Sequence, residues 1–207
     1  MKKYRSIIFD FDGTLVKSID VLLRVYDSLQ EEMNLPNMDD VGVEKIRGLG
    51  IFQIINLLSL SYVKFPFYIL KLKKKYREFV DDISPVPGIA YILMQLQKNY
   101  HLHILTSNDR DLVFQVLEKY ELNCFETITA ERNFFGKHYA LKKTIKQLKY
   151  DFNEVLYVGD EVRDIEACQK IDLDCCAVSW GLNNLESLKN KNPKYALSKP
   201  EELLDIL

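Results

Sequence analysis

Two carboxylates, Asp10 and Asp12, stand directly after the apolar run Ile7-Ile8-Phe9, and Asp12 directly precedes Gly13. If Ile7 to Asp10 is a buried strand, both acids emerge where that strand ends. In open parallel sheets the ligand crevice lies outside the carboxyl ends of the strands. Two acids in one crevice repel, and each holds its proton more tightly unless a cation sits between them. The pair therefore reads as an acid/base couple or as a metal site, and both readings stand at this point.

The rest of the chain supplies a sheet of that kind. Strand-like segments recur at wide spacing: Arg5 to Phe9, His101 to Leu105, Thr127 to Thr129, Val155 to Val158, Cys175 to Val178 and a weaker Tyr195 to Leu197. From Pro87-Gly88 onward, helical patterns lie between most of them. Ile89, Ile92, Leu93 and Leu96 form one; Leu112, Val116, Leu117 and Tyr120 another; Leu141, Ile145 and Leu148 a third; Ile165 with Cys168 a shorter fourth. Alternation of this type implies crossover units, a mostly parallel sheet and the α/β class.

One segment breaks the alternation. Between Ser18 and about Ser84 the periodicity is helical throughout. Val21, Leu22, Val25, Leu29 and Met33 form an amphipathic stripe that Pro36 and Asn37 end. A short helix is expected from Asp39 and Asp40 through Ile46, then a turn at Arg47-Gly48-Leu49-Gly50, then a helix from Ile51 to Leu60. Ile69, Leu72, Tyr76 and Phe79 mark the apolar face of a last helix. Ser84-Pro85-Val86-Pro87-Gly88 is the strongest linker signal. The simplest organisation is a helical insertion at 18–83 within an α/β core made of 1–17 and 84–207.

Composition excludes several classes. In 207 residues, 28 Lys and Arg oppose 30 Asp and Glu, so nothing marks the whole surface for nucleic acid. No apolar stretch approaches the roughly 18 residues of a membrane span. The start, Met1-Lys2-Lys3-Tyr4-Arg5, is basic, but the apolar run after it breaks at Asp10, which is not the pattern of a signal peptide. Cys124, Cys168, Cys175 and Cys176 show neither CxxC spacing nor a neighbouring histidine, and read as reduced thiols of a cytoplasmic protein. The lysines between Lys71 and Lys75 read as a solvated helix face, with a membrane surface or an anionic partner as the alternative.

Three further stretches carry chemistry. His103-Ile104-Leu105-Thr106-Ser107-Asn108 is an apolar strand ending in two hydroxyls and an amide before a helix, suited to a phosphate oxygen or to an ordinary helix N-cap. Val158-Gly159-Asp160-Glu161-Val162-Arg163-Asp164 is a second strand ending in a carboxylate, with Asp164 in the following helical turn. Acid clusters of this kind suit Mg²⁺. Lys137 stands at the start of the helix that leads into that strand. Acids alone repel a phosphate; acids with a cation, a lysine and hydroxyl donors can hold one.

This order and combination resembles the haloacid dehalogenase-like hydrolase superfamily. Phe9-Asp10-Phe11-Asp12-Gly13-Thr14-Leu15 resembles its first motif, DxDGT; Thr106 matches the second, Lys137 the third, and Gly159-Asp160 through Asp164 the GDxxxD form of the fourth. The likeness spans essentially the whole chain. The insertion is similar to the helical cap of the phosphoglycolate phosphatase and β-phosphoglucomutase group. The resemblance implies a three-layer, Rossmann-like core with an inserted cap. It implies a Mg²⁺-dependent phosphatase acting on a small phosphorylated metabolite through an aspartyl-phosphate. Asp10 would be the nucleophile and Asp12 the acid/base. Mg²⁺ would be held by the Asp10 carboxylate, the Asp12 carbonyl and Asp160, while Asp164 holds a metal-bound water or orients Lys137. Thr106, Ser107, Asn108 and Lys137 would bind the phosphoryl group, and Arg47 would reach down from the cap to the substrate. Thr14 to Ser18 and Ser84 to Gly88 would be hinges.

Departures from the family pattern are local. Glu161 stands where a small hydroxyl is frequent, and reads as an outer acid or a helix cap. His138 stands where proline is common, and reads as helix-start chemistry or as a substrate contact. His101 and His103 read as structural. The enzymatic alternative is a phosphomutase of the β-phosphoglucomutase type; the other is a non-catalytic binding protein on the same scaffold. A dehalogenase is disfavoured because Asp12 is present. The expected partner is a small phosphorylated metabolite, with no nucleic acid and no membrane, and the expected state a monomer or homodimer.

Overall fold

The computed structural model describes residues 3–131 and 136–207, without the side chains of Asp40 and Ile51. Met1 and Lys2 of the basic start lie outside the described residues. The chain begins with β1 (Ser6–Phe9), whose four residues are all buried. A strand of this kind, apolar on both faces, belongs in the middle of a parallel sheet covered on both sides. The chain then passes through β2 (Val16–Lys17) into a run of helices: α1 (Ile19–Met33), α2 (Met38–Val41), α3 (Val43–Arg47), α4 (Ile51–Leu57) and α5 (Phe65–Tyr76). A 3₁₀ turn at Arg77–Asp82 and β3 (Ser84–Pro85) bring it back. The α/β alternation follows: α6 (Ile89–Leu96), β4 (His101–Thr106), α7 (Arg110–Lys119), β5 (Thr127–Ala130), α8 (Lys137–Leu148), β6 (Val155–Gly159), α9 (Val162–Gln169), β7 (Asp174–Val178), α10 (Leu185–Lys189), β8 (Tyr195–Leu197) and α11 (Leu203–Ile206).

Six strands form one parallel sheet in the order β5-β4-β1-β6-β7-β8. The chain builds β4 and β5 on one side of β1, then returns to build β6, β7 and β8 on the other. The ends of β4, β1 and β6 thus flank the point where the winding reverses, the crevice such sheets offer to ligands. Alternate residues divide between two cores. Ile7, Phe9, Ile104 and Val158 face Ile89, Ile92, Val113 and Val116 of α6 and α7. Ile8, Leu105, Tyr157 and Cys175 face Leu141, Ile145 and Ile165 of α8 and α9.

The helical segment departs in detail from its sequence reading. The stripe Val21, Val25, Leu29 and Met33 is buried, but α1 ends at Met33 because Asn34 turns left-handed (φ 50°), ahead of Pro36. The single helix expected from Asp39 through Ile46 is two, broken where Gly42 adopts φ 82°. The helix from Ile51 stops at Leu57, short of Leu60, with Ser59 also left-handed (φ 53°). The basic run is not wholly solvated: Lys71 and Lys75 pair with Glu32 and Glu78, while Lys73 turns inward and donates to the Ser107 carbonyl. The two connections between helices and sheet pair with each other, Val16 opposite Pro85 and Lys17 opposite Ser84. Cys124, Cys168, Cys175 and Cys176 are free thiols. No helix of the described residues is long and apolar enough to cross a membrane.

Candidate active site

Register delivers the acids. Phe9 pairs with Ile104 on one side and Val158 on the other, so Asp10 leaves β1 level with the ends of both neighbours. Its amide donates to the Val158 carbonyl at 2.8 Å, continuing the ladder by one residue. Asp160 follows β6, and Asp164 sits in the first turn of α9. All three are buried, and one carboxylate oxygen from each lies within 4.8 Å of the others.

The cluster is built to hold its shape. Asp160 accepts from the Thr14 hydroxyl at 3.1 Å and from the Leu182 amide at 2.6 Å. Glycine is required beside it: at Gly13, whose φ is +71°, a Cβ would lie 2.1 Å from Asp160 Oδ2, and at Gly181 it would lie 2.2 Å away. Asp10 Oδ1 accepts from the Phe11 amide at 2.7 Å, and Oδ2 from Lys137 Nζ at 2.5 Å. Lys137, the first residue of α8, also donates to Asp164 Oδ1. Asp164 Oδ2 accepts from the Glu161 amide at 3.1 Å, closing the start of α9.

Electrostatics follow from burial. Desolvation pushes Asp10 up to about 6, with Lys137 opposing and Asp164 adding to the rise. Asp160 is raised well above the usual carboxylate range, by desolvation first and then by Glu161, Asp10 and Asp164. Burial would lower the Lys137 ammonium, but Asp10 and Asp164 outweigh it and hold the group charged. One lysine cannot neutralise three acids, so the cluster either keeps protons or takes a cation. An all-carboxylate donor set of this size suits a hard divalent ion. The acids present therefore fit a divalent metal.

Asp12 is held apart from this group. Its Oδ2 accepts from Asn108 Nδ2 at 3.1 Å, and its Oδ1 from the Tyr76 hydroxyl at 2.6 Å. Burial raises it, while the Tyr76 and Asn108 hydrogen bonds pull it down. Thr106 is buried at the end of β4, and its hydroxyl accepts from the Asn108 amide at 3.0 Å. The loop of Thr106, Ser107 and Asn108 is thus joined to the acids through Asn108 and Asp12.

The structure brings Asp10, Asp12, Thr106, Asn108, Lys137, Asp160 and Asp164 into one crevice. Arg47 lines a neighbouring pocket with Gly13, Ser18 and Trp180. As the last residue of α3, it donates to the Ser179 carbonyl at 3.2 Å and stands 3.8 Å from Glu44. Glu161 takes the N-cap position of α9 and is gripped by Arg163 at 2.6 and 2.7 Å. His138 stacks near Tyr139, and His103 is buried against the Thr127 hydroxyl. Residues that sequence reasoning missed are Thr14, the Leu182 amide, Lys73 and Tyr76. Thr14 lay within the first motif; Tyr76 carried no signal, because its spacing is that of an apolar helix face.

Comparison with known proteins gives the same answer. The family described as haloacid dehalogenase-like hydrolase matches residues 7–178. A phosphoglycolate phosphatase of Synechococcus elongatus is 30% identical, over 98% of this chain and 97% of its own. One from Aquifex aeolicus is 25% identical, over 98% and 96%. In structure, a haloacid dehalogenase-like hydrolase of Streptococcus pneumoniae superposes with a TM-score of 0.84 at 21% identity, covering 99% of both chains. A shared fold, four motifs meeting in one crevice and relatives matched along nearly their full length agree. The chain belongs to the haloacid dehalogenase-like hydrolase family and is an enzyme of its phosphatase group.

Proposed function

We propose that the chain is a Mg²⁺-dependent phosphatase that hydrolyses a small phosphorylated metabolite through an aspartyl-phosphate on Asp10. The observation that carries this reading is the separation of the two motif acids into different surroundings. Asp10 lies between Lys137 and the Phe11 amide, ready to act as a nucleophile. Asp12 lies among neutral donors, ready to exchange a proton. Two carboxyls whose surroundings differ in this way divide the roles of nucleophile and acid/base.

In the first step an Asp10 oxygen attacks phosphorus, the bond to the leaving oxygen breaks, and Asp12 gives that oxygen its proton. In the second, water attacks the aspartyl-phosphate, Asp12 takes the water's proton, and Asp10 is released with inorganic phosphate. Lys137, Thr106 and the Ser107 amide hold charge on the transferring group. Asp164 orients Lys137, which it contacts. Asp10, the Asp12 carbonyl, Asp160 and Asp164 would hold Mg²⁺, whose charge lets an anionic nucleophile approach an anionic phosphate.

Residues 18–83 form the cap and 1–17 with 84–207 the catalytic core, joined by the paired connections β2 and β3. Arg47 acts at the cap's edge, held against the segment after β7. The relatives named above make phosphoglycolate the first substrate to test. The free thiols and the lack of a spanning helix among the described residues fit a cytoplasmic enzyme.

Phosphate release from a panel of phosphometabolites, phosphoglycolate included, tests the reading. Mg²⁺-dependent turnover is expected, with Asp10→Asn lowering kcat by on the order of 10³-fold or more. Metal binding without turnover of any panel member would make the chain a binding protein instead. Conversion of a sugar phosphate to its isomer without phosphate release would make it a mutase.

A further inference from the structure

Asp12 is not positioned by the sheet alone. Asn108 holds one carboxylate oxygen from the loop after β4, and Tyr76 holds the other from the last residue of α5. Tyr76 lies 64 residues along the chain from Asp12 and is only 4% exposed. The same end of α5 and the first residue of the 3₁₀ turn after it make two further ties to the loop after β4. Lys73 donates to the Ser107 carbonyl, and Arg77 pairs with Asp109 at 2.6 Å. Directly beyond, at Phe79, the backbone leaves helical geometry.

We propose that Tyr76 is the positioning residue of Asp12, so that the acid/base is correctly oriented only while the helical segment is docked on the sheet. An aspartate carboxyl held at one oxygen can still swing about that contact. A second donor on the other oxygen removes the freedom. A tyrosine suits the task because its ring has few torsions to order and is fixed by packing, leaving the hydroxyl at a defined point. Each carboxylate oxygen has a second lone-pair site, so Asp12 can hold the Tyr76 bond and still face a leaving oxygen. Docking of the segment and orientation of the acid thus become one event. This inference rests on Asp12 being the acid/base.

The test uses kcat/KM, which covers the steps up to departure of the leaving group. It compares p-nitrophenyl phosphate, whose leaving group needs little protonation, with the alkyl phosphate that the panel shows to be turned over fastest. The proteins are wild type, Tyr76→Phe, Asp12→Asn and the double variant. Tyr76→Phe keeps the buried ring and removes only the donor. It is expected to lower kcat/KM for the alkyl phosphate on the order of tenfold, the scale of one hydrogen bond, and to change the aryl phosphate far less. In the Asp12→Asn background, Tyr76→Phe should add nothing. Equal losses on both substrates, or a full additional loss in the Asp12→Asn background, would overturn the assignment of Tyr76. If Asp12→Asn itself lacks the alkyl-over-aryl bias, the acid/base reading of Asp12 fails and the inference falls with it.

Discussion

Lys137 sits between two of the site's acids. It touches Asp10 and Asp164 and lies 5.1 Å from the centre of the Tyr157 ring. The ring face offers the ammonium a favourable quadrupole, whereas the Tyr157 hydroxyl is buried and has no hydrogen-bond partner among the described residues. A buried hydroxyl without a partner costs about 1–3 kcal/mol. Tyr157→Phe keeps the ring beneath Lys137 and removes that cost. Thermal unfolding should show a melting temperature raised by roughly 2–4 °C per kcal/mol recovered, with activity kept. A clearly lower melting temperature would show that the hydroxyl is bonded after all. The sequence could nominate Lys137 through its place before a helix. It could not show the tyrosine under it, because that contact joins the start of α8 to β6.

At the scale of elements, the strands of the main sheet and the linker at Ser84 to Gly88 were legible, but the pairing of β2 with β3 was not. The strand expected from Val155 to Val158 extends to Gly159, and Tyr195–Leu197 lies where the pattern placed it. Buried parallel strands announce themselves by continuous apolar runs. β2 and β3 are two residues each, paired with each other and bridged to Asp12 through Val16, so neither has a pattern to read. The breaks at Gly42 and Ser59 escaped notice for a related reason: a single left-handed residue interrupts a helix without altering its apolar periodicity. The loop between β7 and α10 shows what such a connection can carry. Its Leu182 amide donates to Asp160, and Gly181 leaves space for that carboxylate. Gly181→Ala puts a methyl group where Asp160 Oδ2 now lies. Calorimetric titration of this variant should show divalent-cation affinity weakened on the order of tenfold, the scale of losing a partner that orients a ligand. Unchanged affinity would mean that Asp160 does not bind the ion.

Across the whole molecule, metal, protons and stability are linked. Asp10, Asp12 and Asp160 all have raised pKa values, Asp10 at about 6 against its ordinary 3.8. The folded protein therefore binds these protons more tightly than the unfolded chain does. Without a cation, the contribution of Asp10 to stability is fully present below the ordinary carboxylate range and is lost as pH rises through about 6, and those of Asp12 and Asp160 are lost likewise as pH rises through their own raised values. A divalent ion favours the ionised acids and must displace those protons to bind. Added Mg²⁺ should raise the melting temperature over EDTA-treated protein strongly at pH near 7.5 and much less near pH 5, by mass action on the folded state. An equal rise at both pH values would remove Asp10 and Asp160 from the metal site. The sequence by itself determined the α/β class, the helical interruption and the four motifs, because these depend on local periodicity and on short spacings along the chain. The tertiary structure alone decided that Arg47 lies against Ser179, that Lys73 turns inward, and that Tyr76 reaches Asp12. Each of those is a contact between parts of the chain far apart in sequence, set by how the helices dock on the sheet, and no local pattern encodes such a contact.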